Sequence, residues 1–196
     1  MNSNTDRNPA PRLEGKVAVV SGAGTYGGSG VGNGAAVAIL MAREGAKVVL
    51  VDAEKQWADA TREIIEEEGG EAITATANVT DGEDCRKAID AAVERFGGIH
   101  ILHNNVGGGA GSGSVVEATE EAWQASMSIN LMPMINMSRY AIPHMASSGG
   151  GAIINVSSVT ALRPKAGRSS APYTVNKSAV VGLTRAMALD HAEENV

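Results

Sequence analysis

The stretch from residue 16 to 52 limits the possible folds more than any other. Lys16 to Ser21 (KVAVVS) is a short, β-branched run ending on a small polar residue. It leads into Gly22-Ala-Gly-Thr-Tyr-Gly-Gly-Ser-Gly-Val-Gly-Asn-Gly34 and then a helix-forming stretch from Ala35 to Glu44. A second β-branched run, Lys47 to Val51 (KVVLV), ends in Asp52. Strand, glycine-rich turn, helix and strand in that order make a βαβ unit. Glycines let main-chain N–H groups approach a pyrophosphate, and the helix N-terminus adds a favourable dipole. Asp52 stands where an acidic residue grips a ribose 2′-hydroxyl, although a helix N-cap is an ordinary alternative for it. A carboxylate there would repel a 2′-phosphate, so NAD is expected over NADP. Ala53, not an arginine, follows Asp52, and Lys55 is the nearby cation that leaves NADP open.

The same alternation continues along the chain. Strands are expected near 16–21, 47–51, 71–77, 99–103 and 151–157, and helices near 31–44, 54–68, 81–96, 118–146 and 172–193. This predicts an α/β fold: a Rossmann-like, doubly wound parallel sheet in three αβα layers. Right-handed crossovers give the strand order 3-2-1-4-5, with a ligand at the carboxyl ends where the order reverses beside strands 1 and 4. At 196 residues, 43% hydrophobic and with 24 glycines, the chain suits one domain from residue 13 to 196 after an unstructured tail at 1–12. A formal charge of −6 argues against nucleic acid as a partner. The first twelve residues lack an apolar core and no uninterrupted apolar run reaches membrane-spanning length, so a soluble, cytoplasmic protein is expected. Cys85 stands alone and is expected to pack on the 81–96 helix. Glu66-Glu67-Glu68 before Gly69-Gly70 reads as a solvated helix end with a glycine stop.

Further on, Tyr173 and Lys177 are four residues apart, in Tyr-Thr-Val-Asn-Lys, and share a helix face. An ammonium beside a phenol favours the phenolate, which makes the tyrosine a usable proton donor or acceptor for alcohol–carbonyl interconversion. Alone the pattern is unspecific, since an exposed helix pair satisfies it equally. Ser157-Ser158 precede it at the end of the fifth strand.

Taken in order, these residues resemble the classical short-chain dehydrogenase/reductase family, from about residue 13 to the last residue. Gly22 and Gly30-Val31-Gly32 resemble its cofactor loop, and Asn78-Val79 its adenine-contacting pair. Asn104-Asn105-Val106-Gly107 is similar to its Asn-Asn-Ala-Gly stretch. Asn130 falls where the family has its catalytic asparagine, Ser158 matches its serine, and Tyr173 and Lys177 match its acid–base pair. The resemblance implies that Tyr173 moves a proton at the substrate oxygen, that Ser158 hydrogen-bonds that oxygen, that Lys177 holds ribose hydroxyls, and that Asn130 holds a relay water. Asn105, Gly107, Tyr173 and Lys177 would also contact the cofactor. Ser157 is the fallback for Ser158, with packing at the strand end its ordinary role. A small secondary alcohol or ketone is the implied substrate, and a homodimer or homotetramer the implied assembly, through the helices carrying Met127 to Met145 and Tyr173. Those methionines sit on a long helical segment interrupted by Pro133 and Pro143 and are expected to pack in the core or between subunits.

Several features depart from the family. The loop is longer than usual at Thr25 to Ser29, which leaves open which of Gly24, Gly27 and Gly28 meet cofactor. Asn78 replaces the usual aspartate, and Arg163 to Arg168 forms a long basic segment, read as a solvated loop or as an attractor of anions. Relative to the family, the sequence is expected to be truncated after the fifth strand and its following helix, exposing an apolar strand edge. Two rival readings are kept. One is a non-catalytic NAD-binding regulator or scaffold. The other is an extended-branch epimerase or dehydratase, whose different glycine spacing and larger C-terminal domain are not seen here.

Overall fold

The computed structural model describes residues 10–25, 30–164 and 170–196. Five strands form one parallel sheet: β1 (Val17–Ser21), β2 (Lys47–Asp52), β3 (Ala72–Thr76), β4 (Ile101–Asn104) and β5 (Ala152–Asn155). Their order is β3-β2-β1-β4-β5, as the crossover rule requires, so the direction of progression reverses between β1 and β4. Val17 to Ser21 are all buried, because a central parallel strand is covered on both faces and has no solvent side to alternate toward.

Two apolar layers do the covering. On one face Ala18, Val20, Val48, Leu50 and Ile101 meet α1 (Asn33–Arg43) and α2 (Lys55–Glu67) through Ala38, Ile39, Ala58 and Ile65. On the other, Val19, Val49, Val51 and Leu102 meet α3 (Gly82–Phe96) through Cys85 and Ile89, and α5 (Met132–Ser147) through Met137 and Met145. Each fully buried aliphatic side chain contributes roughly 1.5–3 kcal/mol of transfer free energy. The Cys85 thiol lies in this core and donates to the Val79 carbonyl at 3.3 Å; burial foremost pushes its pKa up to about 11, far from a reactive thiolate.

Local signals explain most boundaries. Asp81 caps α3 by accepting from the Glu83 and Asp84 amides at 2.8 and 3.0 Å, and Gly97, at φ +85°, ends it. Gly69, at φ +83°, ends α2, with the Gly70 amide returning to the Ile65 carbonyl at 2.9 Å. The helical segment expected over 118–146, interrupted by Pro133 and Pro143, is two helices, α4 (Glu120–Asn130) and α5, with Pro143 inside the second. Leu131 leaves helical geometry at φ −125°, just ahead of Pro133, as the residue before the first turn of a proline-led helix would. Of the methionines on this stretch, Met134, Met137 and Met145 are buried, whereas Met127 is 45% exposed.

Of the expected tail, residues 1–9 lie outside the described residues, but Arg12 is anchored, its guanidinium on the Glu44 carboxylate at 2.9 Å. At the sheet edge β5 is more thinly covered than β1 or β2, with Ala152 and Ile154 exposed. Residues 195 and 196 lie beside it: the Gly151 amide donates to the Asn195 carbonyl at 3.0 Å, and Val196 packs against the core. The last helix, α6 (Ala171–Asp190), carries Tyr173 and Lys177 and packs against α4, where Asn176 donates to Ser126 Oγ at 3.2 Å. Among the described residues no helix is long and apolar enough to cross a membrane.

Candidate active site

The carboxyl ends of β1 to β4 open into a cavity of about 270 Å³. Gly22, Gly32, Asn33 and Gly34 form one wall, Gly24, Asp52 and Trp57 a second, Asn78 and Val79 a third, and Asn105 to Gly107 the floor. Close main-chain approach explains the glycines. A Cβ on Gly34 would lie 2.0 Å from the Gly22 carbonyl oxygen, so α1 can begin against the β1 turn only if residue 34 has no side chain. One on Gly24 would lie 2.6 Å from Asp52 Oδ2. Gly22 itself sits at φ +64°, where a side chain is strained.

Asp52 does not cap α2; the cap position is Glu54. Its carboxylate accepts from the Gly24 amide at 2.9 Å and from the Glu54 amide at 3.1 Å, fixing the charge in the cavity wall. Asn78 makes a local turn, its Oδ1 accepting from the Thr80 amide and hydroxyl at 3.1 and 2.9 Å. Asn105 joins β4 to the first turn: its amide donates to Ser21 Oγ at 3.2 Å and its Nδ2 to the Gly22 carbonyl at 3.2 Å. Among the expected loop contacts, Gly30 and the half-exposed Val31 are not among the residues lining this cavity. Gly27 and Gly28 lie outside the described residues, as does most of the basic segment, 165–169.

Gly107 links the cavity to Lys177 and Tyr173, the pair expected to act as acid and base. A Cβ there would stand 2.8 Å from Lys177 Nζ and 3.1 Å from Asn130 Oδ1, so both side chains close on this glycine. Lys177 is 2% exposed, and its Nζ donates to the Val156 carbonyl at 2.9 Å and lies 6.0 Å from the Tyr173 ring centre. Burial pushes its pKa below the ordinary lysine value. Asn130, fully buried, staples the loop after β4: its Oδ1 accepts from the Gly108 amide at 3.1 Å and its Nδ2 donates to the Gly108 carbonyl at 3.0 Å. A side chain committed in this way holds the loop, a duty the sequence did not suggest beside the expected relay water.

The two serines divide as their contacts dictate. Ser157 Oγ donates to the Lys177 carbonyl at 2.7 Å and ties β5 to α6. Ser158 starts the short 3-10 turn Val159–Ala161, and its Oγ accepts from the Thr160 amide at 3.3 Å and hydroxyl at 3.0 Å. Both bonds use the Ser158 oxygen as acceptor, which leaves its O–H to donate. Ser178 Oγ donates to the Thr174 carbonyl one turn earlier at 2.9 Å, and its 3.3 Å approach to the Ala161 carbonyl of this turn is secondary. The sequence missed Gly34, Trp57 and Ala77 in the cavity wall. Gly34 was visible as the last glycine before the helix; Trp57 was signalled only by its place one turn beyond Asp52.

A parallel αβα sheet, a glycine-lined cavity at its switch point and a serine, tyrosine and buried lysine beside it define a dinucleotide-fold oxidoreductase. The chain belongs to the short chain dehydrogenase family, whose pattern it matches over residues 16–196. It is 38% identical, over 95% of its length and 71% of the relative's, to 2,5-dichloro-2,5-cyclohexadiene-1,4-diol dehydrogenase LinX of Sphingobium indicum. It is 33% identical to cyclohexanol dehydrogenase of Acinetobacter sp., covering 94% of this chain and 70% of that one. Among solved structures, 7α-hydroxysteroid dehydrogenase complexed with NADH and 7-oxo glycochenodeoxycholic acid superposes with a TM-score of 0.85 at 30% identity, over 95% of this chain and 69% of that one. NAD+-bound xylitol dehydrogenase gives 0.84 at 28%, over 94% and 68%.

Proposed function

We propose that the chain is an NAD-dependent dehydrogenase interconverting a secondary alcohol and a ketone of modest size. The observation that carries this reading is Gly107, where the wall of the glycine-lined cavity meets the buried Lys177 ammonium and the Asn130 amide. The relatives named for alcohol oxidation, and those with NADH or NAD+ bound, support it.

The cavity fits a nicotinamide dinucleotide on its own terms. At Gly24 and Gly34 the glycine turn closes on Asp52 and on its own backbone, where a Cβ would clash, and Asp52 sets a fixed carboxylate where a ribose hydroxyl is welcome and a 2′-phosphate is not. Gly22, Gly24, Gly32, Asn78, Val79, Asn105 and Gly107 would hold it, with Gly30 and Val31 as further loop candidates. Bound there, the dinucleotide supplies hydride transfer. Tyr173 takes the proton from the alcohol oxygen, or returns it to the ketone oxygen, and Ser158 donates a hydrogen bond to the same oxygen as charge develops on it. Lys177 spends one N–H on Val156 and keeps two for ribose hydroxyls, while its charge stabilises the tyrosyl oxygen. Asn130 holds Gly107 and Gly108 against Lys177 and shapes the path by which a water relays the proton. A homodimer or homotetramer is the proposed assembly.

Titration with NADH and, separately, NADPH tests the reading, following energy transfer from tryptophan to the reduced nicotinamide. Saturation by NADH at lower concentration than NADPH, with reduction of NAD by cyclic secondary alcohols that Tyr173→Phe abolishes, is the expected result. Binding of neither dinucleotide, or turnover that survives Tyr173→Phe, overturns it.

A further inference from the structure

A chain of hydroxyl groups joins the glycine-rich turn to α2, and the family pattern does not account for it. Thr61, on the second turn of α2, is fully buried. Its hydroxyl lies 2.7 Å from the Ala23 carbonyl, 2.8 Å from Thr25 Oγ1 and 3.3 Å from the carbonyl of Trp57 one turn earlier. One hydroxyl carries one proton. The shortest carbonyl contact takes it, so Thr61 donates to Ala23 and accepts from Thr25, and the longer approach to Trp57 is secondary. The Thr25 amide also donates to the Trp57 carbonyl at 3.0 Å, and the neighbouring Gly24 amide to Asp52 Oδ2 at 2.9 Å. Residues 23 to 25 are thereby docked on the start of α2 and the end of β2.

This docking bears on ligand binding because the docked chain is the cavity wall. Gly24, Asp52, Ala53 and Trp57 line one side of the cavity, and α1 supplies Gly32 to Gly34 on another. Gly24 is so close that a Cβ on it would stand 2.7 Å from Trp57 Cβ. The gap between the glycine turn and α2 is therefore closed by contact, and the Thr61 hydroxyl is its buried fastening.

We propose that Thr61 is a positioning residue for the dinucleotide: by fastening Ala23 and Thr25 to α2 it fixes the wall formed by Gly24, Asp52 and Trp57. The proposal rests on the cofactor reading above and adds a residue that touches neither cofactor nor substrate. Loss of the hydroxyl with the shape kept leaves the Ala23 carbonyl and Thr25 hydroxyl without their partner and lets the wall move.

The test compares Thr61→Val, which removes the hydroxyl, with Thr61→Ser, which keeps it. Thr61→Val is expected to weaken NADH binding about tenfold, as loss of a buried hydrogen bond would. The KM for NAD should rise by a similar factor with kcat at saturating NAD unchanged, and Thr61→Ser should bind within about twofold of the parent. In the ligand-free protein, hydrogen exchange of the Gly24 and Thr25 amides should quicken in Thr61→Val alone. If Thr61→Val does not fold, Thr25→Val removes the other end of the same bond and should weaken NADH binding in the same direction. A parent that binds NADH beside a Thr61→Val or Thr25→Val variant that binds equally well overturns the positioning role alone. So does Thr61→Ser as impaired as Thr61→Val, which would make the effect one of packing. A parent that binds neither dinucleotide overturns the cofactor reading as well.

Discussion

Two glycine-to-alanine substitutions, chemically identical, should act in opposite directions. Gly34 and Gly182 both lie in helices, α1 and α6. A Cβ at Gly182 meets nothing within 4 Å, so Gly182→Ala should gain the helix preference of alanine over glycine, about 0.5–1 kcal/mol. At Gly34 the added atom would stand 2.0 Å from the Gly22 carbonyl oxygen and 2.8 Å from Asn105 Nδ2. Ordinary contact begins near 3.4 Å, so α1 and the β1 turn would have to part by roughly 1.4 Å, the difference between 3.4 and 2.0. Neither obstacle is a flexible side-chain end: one is backbone, and the other already donates to that same carbonyl. Overpacking of this kind costs about 1–3 kcal/mol, which exceeds the helix gain. In a chain of this length each kcal/mol moves the melting temperature by about 2–4 °C. Thermal unfolding followed by circular dichroism should therefore show Gly182→Ala melting a few degrees above the parent and Gly34→Ala several degrees below it. NADH binding should be lost only in Gly34→Ala. A Gly34→Ala protein that melts at or above the parent and binds NADH normally would refute the close-approach argument.

Ser158→Ala should lower kcat by about a hundredfold or more with NADH affinity retained, as loss of one oxyanion donor does, whereas Ser157→Ala should act mainly on stability; steady-state kinetics with melting curves separate the two. Replacing Asp52 by serine should shift the ratio of NADPH to NADH affinity by at least about tenfold toward NADPH, read by fluorescence titration. Acid should destabilise the fold through His100 and His103, whose pKa values burial pushes below the ordinary 6.5. His100 Nδ1 accepts from the Val17 amide at 3.0 Å and so must be neutral in the fold. The unfolded chain then binds more protons, so stability is full above about 6.5 and falls as pH drops toward the lowered folded values. Melting temperatures at pH 7.5 and 5.5 should differ in that direction, and less in His100→Gln.

The centre of the sheet was legible because β1 and β2 are buried on both faces and read as unbroken, mostly β-branched runs, and the shorter strands followed from their alternation with helices. The 16–52 unit, the 3-2-1-4-5 order and the carboxyl-end location of the cavity all follow from local pattern plus handedness. An interruption at Pro133 was legible, but not that the chain breaks at Leu131 into two helices while Pro143 interrupts nothing. A proline at the start of a helix and one inside it look alike in sequence, and Pro143 does lie inside α5 without ending it. The candidate site residues were named one by one from order along the chain, but their partners were not. That Asn130 would grip Gly108, Ser157 the Lys177 carbonyl, and Thr61 the Ala23 carbonyl depends on which loops meet, and that is set by packing across 20 or more residues.

Lys177 shows what such packing is for. Among the described residues no carboxylate is paired with it, and burial alone accounts for its lowered pKa. Folding therefore disfavours its charge: the ammonium form is penalised at neutral pH, and that penalty lifts only as pH rises through its lowered value. A leucine or methionine there would remove the cost, so stability does not explain the lysine. What holds it in place is a set of contacts with no charge of their own, the Val156 carbonyl on one side and the Gly107 backbone, pressed in by Asn130, on the other. A buried, incompletely compensated cation beside the Tyr173 ring marks a candidate functional group, and on the proposed reading a phenolate and ribose hydroxyls would satisfy it. On the proposed reading, the ligand-free fold gives up stability at the point where binding and proton transfer would meet.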